Sequence, residues 1–226
     1  MSRQMHLGAL LFSSGHHGAA WRRSGSTVSQ VGQIDYFEKL AQLAEGGKFD
    51  TIFFADGQSI MGGYYGGVSY FLEPITCVTA MARKTHHIGL VPTISSTLYD
   101  PYNMARLICS LDHISHGRAG VNVITSMFDE EAQNHGLSKL PDGGEHATVV
   151  GSPEEVADMM QNWFESGAAD GFNIMAPTYP ESLANFIHYV VPILQKRGLF
   201  RKDYTSHTLR DNLGLPVPTA KITQGD

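Results

Sequence analysis

Short apolar runs alternate with amphipathic segments along this chain, and that rhythm limits the fold more than any other feature. MHLGALLF (5–12), the apolar stretch 50–55, HIGLVPT (87–93) and AGVNVIT (119–125) are too short for core helices and too continuously apolar for strands with one wet face. Such runs are strands buried on both sides. Between them apolar residues recur at helical spacing: Ile34, Phe37, Leu40, Ala41 and Ala44, stopped by Gly46-Gly47; Ile75, Val78 and Ala82 behind Pro74; and Met104, Leu107, Ile108, Leu111 and Ile114 behind Asp100 and Pro101. Asp100 is a good N-cap and Pro101 a good first helical residue, so the third helix has a defined start. The alternation predicts βα units around a parallel sheet covered by helices on both faces.

After residue 137 the rhythm breaks. LSKLPDGGEHATVV reads as a linker with a Pro-Asp-Gly-Gly turn. Ser152, Pro153 and Glu155 then open a helix with a capping box. Its apolar face is Val156, Met159, Met160, Trp163 and Phe164, and Gly167 ends it. GFNIMAP is a fifth strand. A last helix is expected from Glu181 to Arg197, bent at Pro192. The tail reads as an arm packed on the surface or on a neighbouring subunit. The expected organisation is one α/β domain: βα units over 1–137, a linker over 138–150, a helix–strand–helix over 151–200 and an arm over 201–226.

In sheets of this type, ligands gather at the carboxyl ends of the strands. The stretch FDTIFFADGQS (49–59) puts an acid there. A carboxylate closing a buried strand is costly unless paired, hydrogen-bonded or solvated, so Asp56 either caps loop amides or meets a ligand. Thr93 and the region Asn122–Thr125 lie at equivalent ends. The loop SSGHHGAAWRRSGS follows the first strand on the same face and carries His16, His17, Trp21 and Arg22. These four contact substrate or cofactor, or belong to ordinary loop packing. Tyr64, Tyr65 and Tyr70 wall a pocket or fold on one another.

Several function classes are excluded by what the chain lacks. It has no G-x-G-x-x-G fingerprint, P-loop, C-x-x-C, H-E-x-x-H or G-x-S-x-G elbow. His113 and His116 beside Asp112 read as a surface pair, so no metal is expected. The net charge of −6 is dispersed, without a basic stripe for nucleic acid. No apolar run approaches the roughly 20 residues of a membrane span, and the opening MSRQMHLGALLFSSG reads as a buried first strand rather than a leader. Cys77 and Cys109, both in apolar surroundings, read as reduced core thiols of a cytoplasmic protein.

An ordered set of motifs resembles the bacterial-luciferase-like flavin monooxygenases, in the subgroup of nitrilotriacetate monooxygenase component A and the dibenzothiophene-sulfone monooxygenases. The matching stretches are HHGAAWR, GGKFDTIFFAD, FLEPITCVTAMARKTHHIGLVPTISSTLYDPYNMAR, LDHISHGRAGVNVITS, VVGSPEEVADMMQNWFESGAADGFNIM and VVPILQKRGLFRKDY. The resemblance implies a TIM-barrel-like fold and reduced FMN bound at the strand tips. It also implies a separate NAD(P)H:flavin reductase as partner and oxygenation of a small organic substrate by O2. By motif position, Asp56 and Thr93 match flavin-contacting residues and Asn122 lies beside them; His16, His17, Trp21 and Arg22 face the substrate. No catalytic acid or base is assigned. Before Asn122, where the family usually has Trp, this chain has Val121.

The chain departs from the pattern in length. Family members carry further βα units between the fourth strand and the GSPE helix, including a phosphate-binding serine; here NHGLSKL leads almost directly to HATVVGSPEE. The expected architecture is therefore an incomplete barrel of about five parallel strands, against the eight that usually close one. Its unpaired edges predict a homo-oligomer. The alternative to an active monooxygenase is an impaired flavin-binding or structural remnant of the family. The helix start at Ser152 could take a phosphate, although Glu154 and Glu155 oppose one.

Overall fold

A computed structural model describes residues 4–59, 72–126, 128–138 and 149–216. The tyrosines at 64, 65 and 70 and most of the 138–150 linker lie outside the described residues. Five strands form one parallel sheet: β1 (His6–Leu11), β2 (Thr51–Phe54), β3 (Gly89–Ser95), β4 (Asn122–Ile124) and β5 (Gly171–Ile174). Their order is β4-β3-β2-β1-β5. The last strand thus pairs with the first, as in a closed barrel, and the sheet curls into a half-barrel with β4 and β5 as its two edges.

Alternation along each strand sorts side chains onto two faces. Leu7, Ala9, Leu11, Ile52, Phe54 and Leu90 point outward into the main core, against α1 (Ile34–Gly46), α2 (Pro74–Ala82) and the other helices. Leu10, Phe53, Val91 and Thr93 occupy the opposite, concave face, since Leu10 is in register with Phe53 and Phe53 with Val91. In α1 the buried residues are Tyr36, Phe37, Leu40, Ala41 and Ala44. Phe37 meets Phe54 edge to face with ring centres 5.0 Å apart. The helix stops where Gly46-Gly47 predicted, but for a different reason. Lys48 takes the left-handed conformation, at φ 65°. Gly47 is needed because a Cβ there would lie 2.7 Å from Ile187.

Several predicted starts hold at atomic level. Asp100 Oδ1 accepts from the Asn103 amide at 3.1 Å, with Pro101 opening α3 (Pro101–Ser115). Ser152 and Glu155 make the reciprocal capping box of α5 (Pro153–Glu165). Its hydrogen bonds, 3.2 Å from the Glu155 amide to Ser152 Oγ and 2.7 Å from the Ser152 amide to Glu155 Oε2, use the groups a phosphate would need. The helix over 181–197 breaks in two: α6 (Glu181–Asn185) and α7 (Val191–Lys196) flank a π-helical turn, Phe186–Val190. Pro192 lacks an amide and crowds the carbonyl four residues back, and the wider turn absorbs both.

Four expectations are corrected. Of the α3 stripe only Leu111 is buried, with Ser115, while Leu107 and Ile114 are exposed. Cys109, on the same helix, is exposed rather than a core thiol, whereas Cys77 is buried as expected. Trp163, on the predicted buried face of α5, is 40% exposed. The fourth strand shrinks to Asn122–Ile124, with Val123 on it and Val121 just before it exposed. Periodicity marks an apolar face but not what covers it; β4 is an edge, and α3 is the helix beside it. The tail, expected as an arm packed on the surface or on a neighbouring subunit, lies against this chain's own sheet. Residues 199–212 pack under the amino ends of the strands, with Arg201 buried against Asp50 and Leu209 against Gly89.

Candidate functional site

The carboxyl ends of β2, β3 and β4 carry two adjoining polar groups. The first is the pair Thr93 and Asn122, which are in register across β3 and β4. Asn122 Nδ2 donates to Thr93 Oγ1 at 3.2 Å. That bond leaves the Thr93 hydroxyl hydrogen and Asn122 Oδ1 as a donor and an acceptor on the concave face. Beyond them, toward the carboxyl ends, Ser126 Oγ, on a residue at φ 61°, donates to Ser95 Oγ at 2.9 Å, and both serines are buried.

The second group is built round Asp56. Phe54 pairs with Pro92, so Asp56, two residues past Phe54, and Thr93, one past Pro92, stand at nearly the same height at the sheet's tip. Gln58 Nε2 donates to Asp56 Oδ2 at 2.9 Å. Gln58 is the hub of the cluster: its amide donates to Glu131 Oε1 at 2.9 Å, its carbonyl accepts from Asn134 Nδ2 at 2.9 Å, and its side-chain oxygen lies 2.8 Å from His135 Nε2. Tyr99 also hydrogen-bonds to Gln58. Glu131, buried on α4 (Asp129–Asn134), takes a second amide, from Phe128, at 3.1 Å. This carboxylate clamps the loop after β2 to the segment after β4.

Electrostatics set the character of the Asp56 group. Burial is the main cause that lifts the Asp56 carboxyl above its ordinary value of 3.8; Glu73 and Glu131 push the same way, and Gln58 pulls back. Tyr99 is raised by burial and by the Glu73 and Asp56 charges. The tip is therefore rich in acceptors, and an anion there is repelled.

The loop after β1 behaves differently from its four sequence candidates. His16 is locked into the scaffold: its ring stacks on Phe12 with centres 5.3 Å apart, and Nε2 lies 3.2 Å from the Leu10 carbonyl, which also accepts from the Tyr179 hydroxyl. His17 is exposed and accepts from the Ala19 amide at 3.1 Å. Trp21 lies with its ring 4.6 Å from the exposed Arg22 guanidinium, and its Nε1, shielded from solvent, meets no acceptor among the described residues. His17 and Trp21 share a narrow crevice with Phe12 and Ala20. Burial pushes Tyr36 up to about 12, and its hydroxyl ties this loop to α1 by donating to the Ser13 carbonyl at 3.2 Å. The structure thus brings Thr93 and Asn122 into contact, sets Asp56 at the same tip, and keeps His16, His17, Trp21 and Arg22 in a loop of their own. Gln58, Glu131, Asn134 and His135 were not visible as a group in the sequence; the only trace is the run FDEEAQNHG directly after a strand tip.

A parallel βα half-barrel with a polar cluster at its carboxyl tips is, in class, part of a βα barrel. The sequence model of the luciferase-like monooxygenases matches residues 11–142, and the chain belongs to that family. It is 38% identical over 170 residues to N-acetyl-S-(2-succino)cysteine monooxygenase of Bacillus subtilis (strain 168), a match covering 75% of this chain and 38% of that protein. It is 39% identical over 150 residues to nitrilotriacetate monooxygenase component A of Aminobacter aminovorans, covering 60% of this chain and 32% of that one. The chain thus spans about a third of the length of the curated relatives it matches. In fold it is similar to EDTA monooxygenase from Chelativorans sp. BNC1, with a TM-score of 0.86, 19% identity, and coverage of 95% of this chain and 99% of that one. Among the described residues no helix is long and apolar enough to cross a membrane, and no cluster of His, Cys, Asp and Glu has the makings of a metal site.

Proposed function

We propose that this chain binds FMN at the tips of β2–β4 and acts as the oxygenating component of a two-component monooxygenase on a small organic substrate. A separate NAD(P)H:flavin reductase would supply the reduced cofactor. The observation that carries this reading is the alignment of Asp56 with the Thr93–Asn122 pair at one end of the sheet. A carboxylate acceptor, a hydroxyl donor and an amide carbonyl, the last two with no further partner among the described residues, match the alternating N–H and C=O edge of an isoalloxazine ring. They do not match its phosphate, which Asp56, Glu73 and Glu131 would repel. Bound reduced flavin supplies the activation of O2. The residues present hold and orient the ring: Asp56 and Asn122 accept, Thr93 donates, and Glu131 fixes the loop that carries Asp56. Phe53 and Val91 below them give the floor an apolar surface. His17, Trp21 and Arg22 are proposed for the substrate side, with His16 packed beneath them. The exposed apolar residues of α3 and β4 support a homo-oligomer.

A second reading is favoured by the open sheet. β4 and β5 are edges among the described residues, so the concave face is not enclosed and the exclusion of water that flavin oxygenation needs is incomplete. On this reading the chain binds flavin without turning over. The two readings separate in one experiment: titrate the protein with oxidised and with reduced FMN by fluorescence, then measure O2 uptake with NADH and a reductase. Binding with substrate-dependent uptake supports the monooxygenase. Binding without it selects the second reading, and absence of binding to either form removes both.

A further inference from the structure

We propose that two copies of this chain close each other's half-barrel, β4 of each pairing in parallel with β5 of the other about a two-fold along the barrel axis. β4 and β5 are the two edges of the sheet among the described residues. The chain cannot fill the gap between them itself. The stretch 125–152, which joins β4 to α5, holds α4 alone among its described residues, and it is shorter than the ~30 residues of a single βαβ unit. Nor does α4 cover β4: its Glu131 and Asn134 are turned to the Gln58 loop at the strand tips. Val123 therefore stays exposed on β4, and an uncovered apolar edge is a template for a strand of another chain.

Each edge is backed by a helix with an apolar flank. On α3, Leu107 and Ile114 stand beside buried Leu111 and are exposed. On α5, Asp158 and Gln161 meet Arg197 of the α7 side at 2.6 and 2.9 Å. The opposite flank carries Val156, Met159 and Trp163 at helical spacing, and the Trp163 ring lies 6.3 Å from that of Phe172 on β5. In the proposed pairing α5 of the second copy lies over Val123 and beside α3, where a helix following β4 would otherwise pack. Charge favours this union of unlike edges over like with like. The exposed surface of α5 carries Glu154, Glu155 and Glu165, while that of α3 carries Arg106 and His113, and the one acid within α3, Asp112, accepts from the Ala119 amide at 3.3 Å. Two α5 helices together would crowd glutamates; α3 beside α5 sets opposite charges at the rim. Because each contact joins unlike edges, two copies meet twice and the ring closes. The ring encloses the concave face with Thr93 and Asn122, supplying the exclusion of water that an open sheet lacks. That consequence rests on the flavin reading; the pairing itself does not.

The test uses the full chain without flavin. Light scattering should give twice the chain mass of 24.7 kDa. Cross-linking then reads which edges meet, on a Cys109→Ser background that removes the exposed thiol. A chain carrying both Val123→Cys and Trp163→Cys should form covalent dimers with a short bismaleimide, and neither single variant should. Both positions are exposed, so the substitutions leave the core in place. Four results overturn the proposal: a monomeric parent, masses that climb with concentration as open chains grow, a double variant that does not cross-link, or covalent dimers from Val123→Cys alone, which would pair β4 with β4. FMN titration is read separately. A cross-linked dimer that binds no FMN supports the pairing and removes the flavin reading, whereas FMN bound by a monomer supports the flavin reading and overturns the pairing.

Discussion

Asp56 carries the largest conflict between stability and function in the molecule. Its carboxyl is held above the usual aspartate range by burial first and by neighbouring acids second. A raised carboxyl pKa in the folded state means that the stability it contributes is fully present below the unfolded value. That stability is lost as pH rises through the folded one. At neutral pH the ionised side chain is a standing cost, so Asp56→Asn should leave Tm unchanged or raise it while weakening FMN binding; paired melting and fluorescence titrations check both halves. A fall in Tm with unchanged FMN affinity would mean that the acid serves the loop alone. Glu45 runs the other way. Burial works to raise its carboxyl, but the amides of His86, His87 and Ile88 and the Arg118 charge outweigh it, and the group sits below its ordinary range. Its contribution is present above the unfolded value and fades as pH falls through the folded one, so Glu45→Gln should flatten the acid limb of the stability–pH curve. Arg118 is buried and donates to five groups: the carbonyls of Ala82, Thr85, Ile88 and Ser115, and Thr85 Oγ1. Removing it strands those carbonyls and the Glu45 charge together. Arg118→Met should cost about 3–5 kcal/mol in chemical denaturation.

At the scale of elements, the strands and most helices were legible because each is written in local chemistry. Pro101 behind Asp100 and the Ser152–Glu155 pair mark helix starts without any knowledge of the fold, and β1 to β3 are apolar because helices cover their outer face and the curl of the sheet half-buries the inner one. What was not legible is the neighbour. Val123 reads as core in AGVNVIT, yet it stands 51% exposed on an edge strand. Nothing in its own residues says whether a further strand lies beside it. The same holds for Leu107 and Ile114 on α3, and for Gln58, whose five partners come from parts of the chain with no shared periodicity. The site was half legible for a similar reason: Asp56 and Thr93 sit at strand ends that alternation locates, whereas Glu131 acts through loop closure. An exposed apolar edge is a template for pairing with another chain. Val123→Lys should therefore shift the protein toward smaller species in size-exclusion chromatography with light scattering, with stability changed by no more than about 0.5 kcal/mol. An unchanged size distribution would show that β4 is not the surface through which copies associate.

For the whole molecule, the question is what holds together an open half-barrel of five strands among the described residues. The answer lies at its amino end. Asp50, immediately before β2, accepts from the Leu7 amide at 2.9 Å, lies 2.9 Å from His6 Nδ1 and pairs with Arg201 of the arm. The Tyr204 hydroxyl donates to the Phe49 carbonyl, and Leu209 fills the space that Gly89 and Gly120 leave open. One carboxylate thus ties the start of the first strand, the start of the second and the segment after α7 together. Because Asp50 is buried and its partners are charged or fixed backbone, Asp50→Asn leaves the Arg201 charge without its counterion. It should cost about 3–5 kcal/mol. Arg201→Met should cost as much, but the double variant should cost far less than the sum, since neither charge is then left alone. If the arm is part of the cooperative core, both single variants keep one sharp transition at lower temperature. If it is an appendage, the main transition stays in place and only the arm becomes open to protease; limited proteolysis alongside calorimetry tells the two apart.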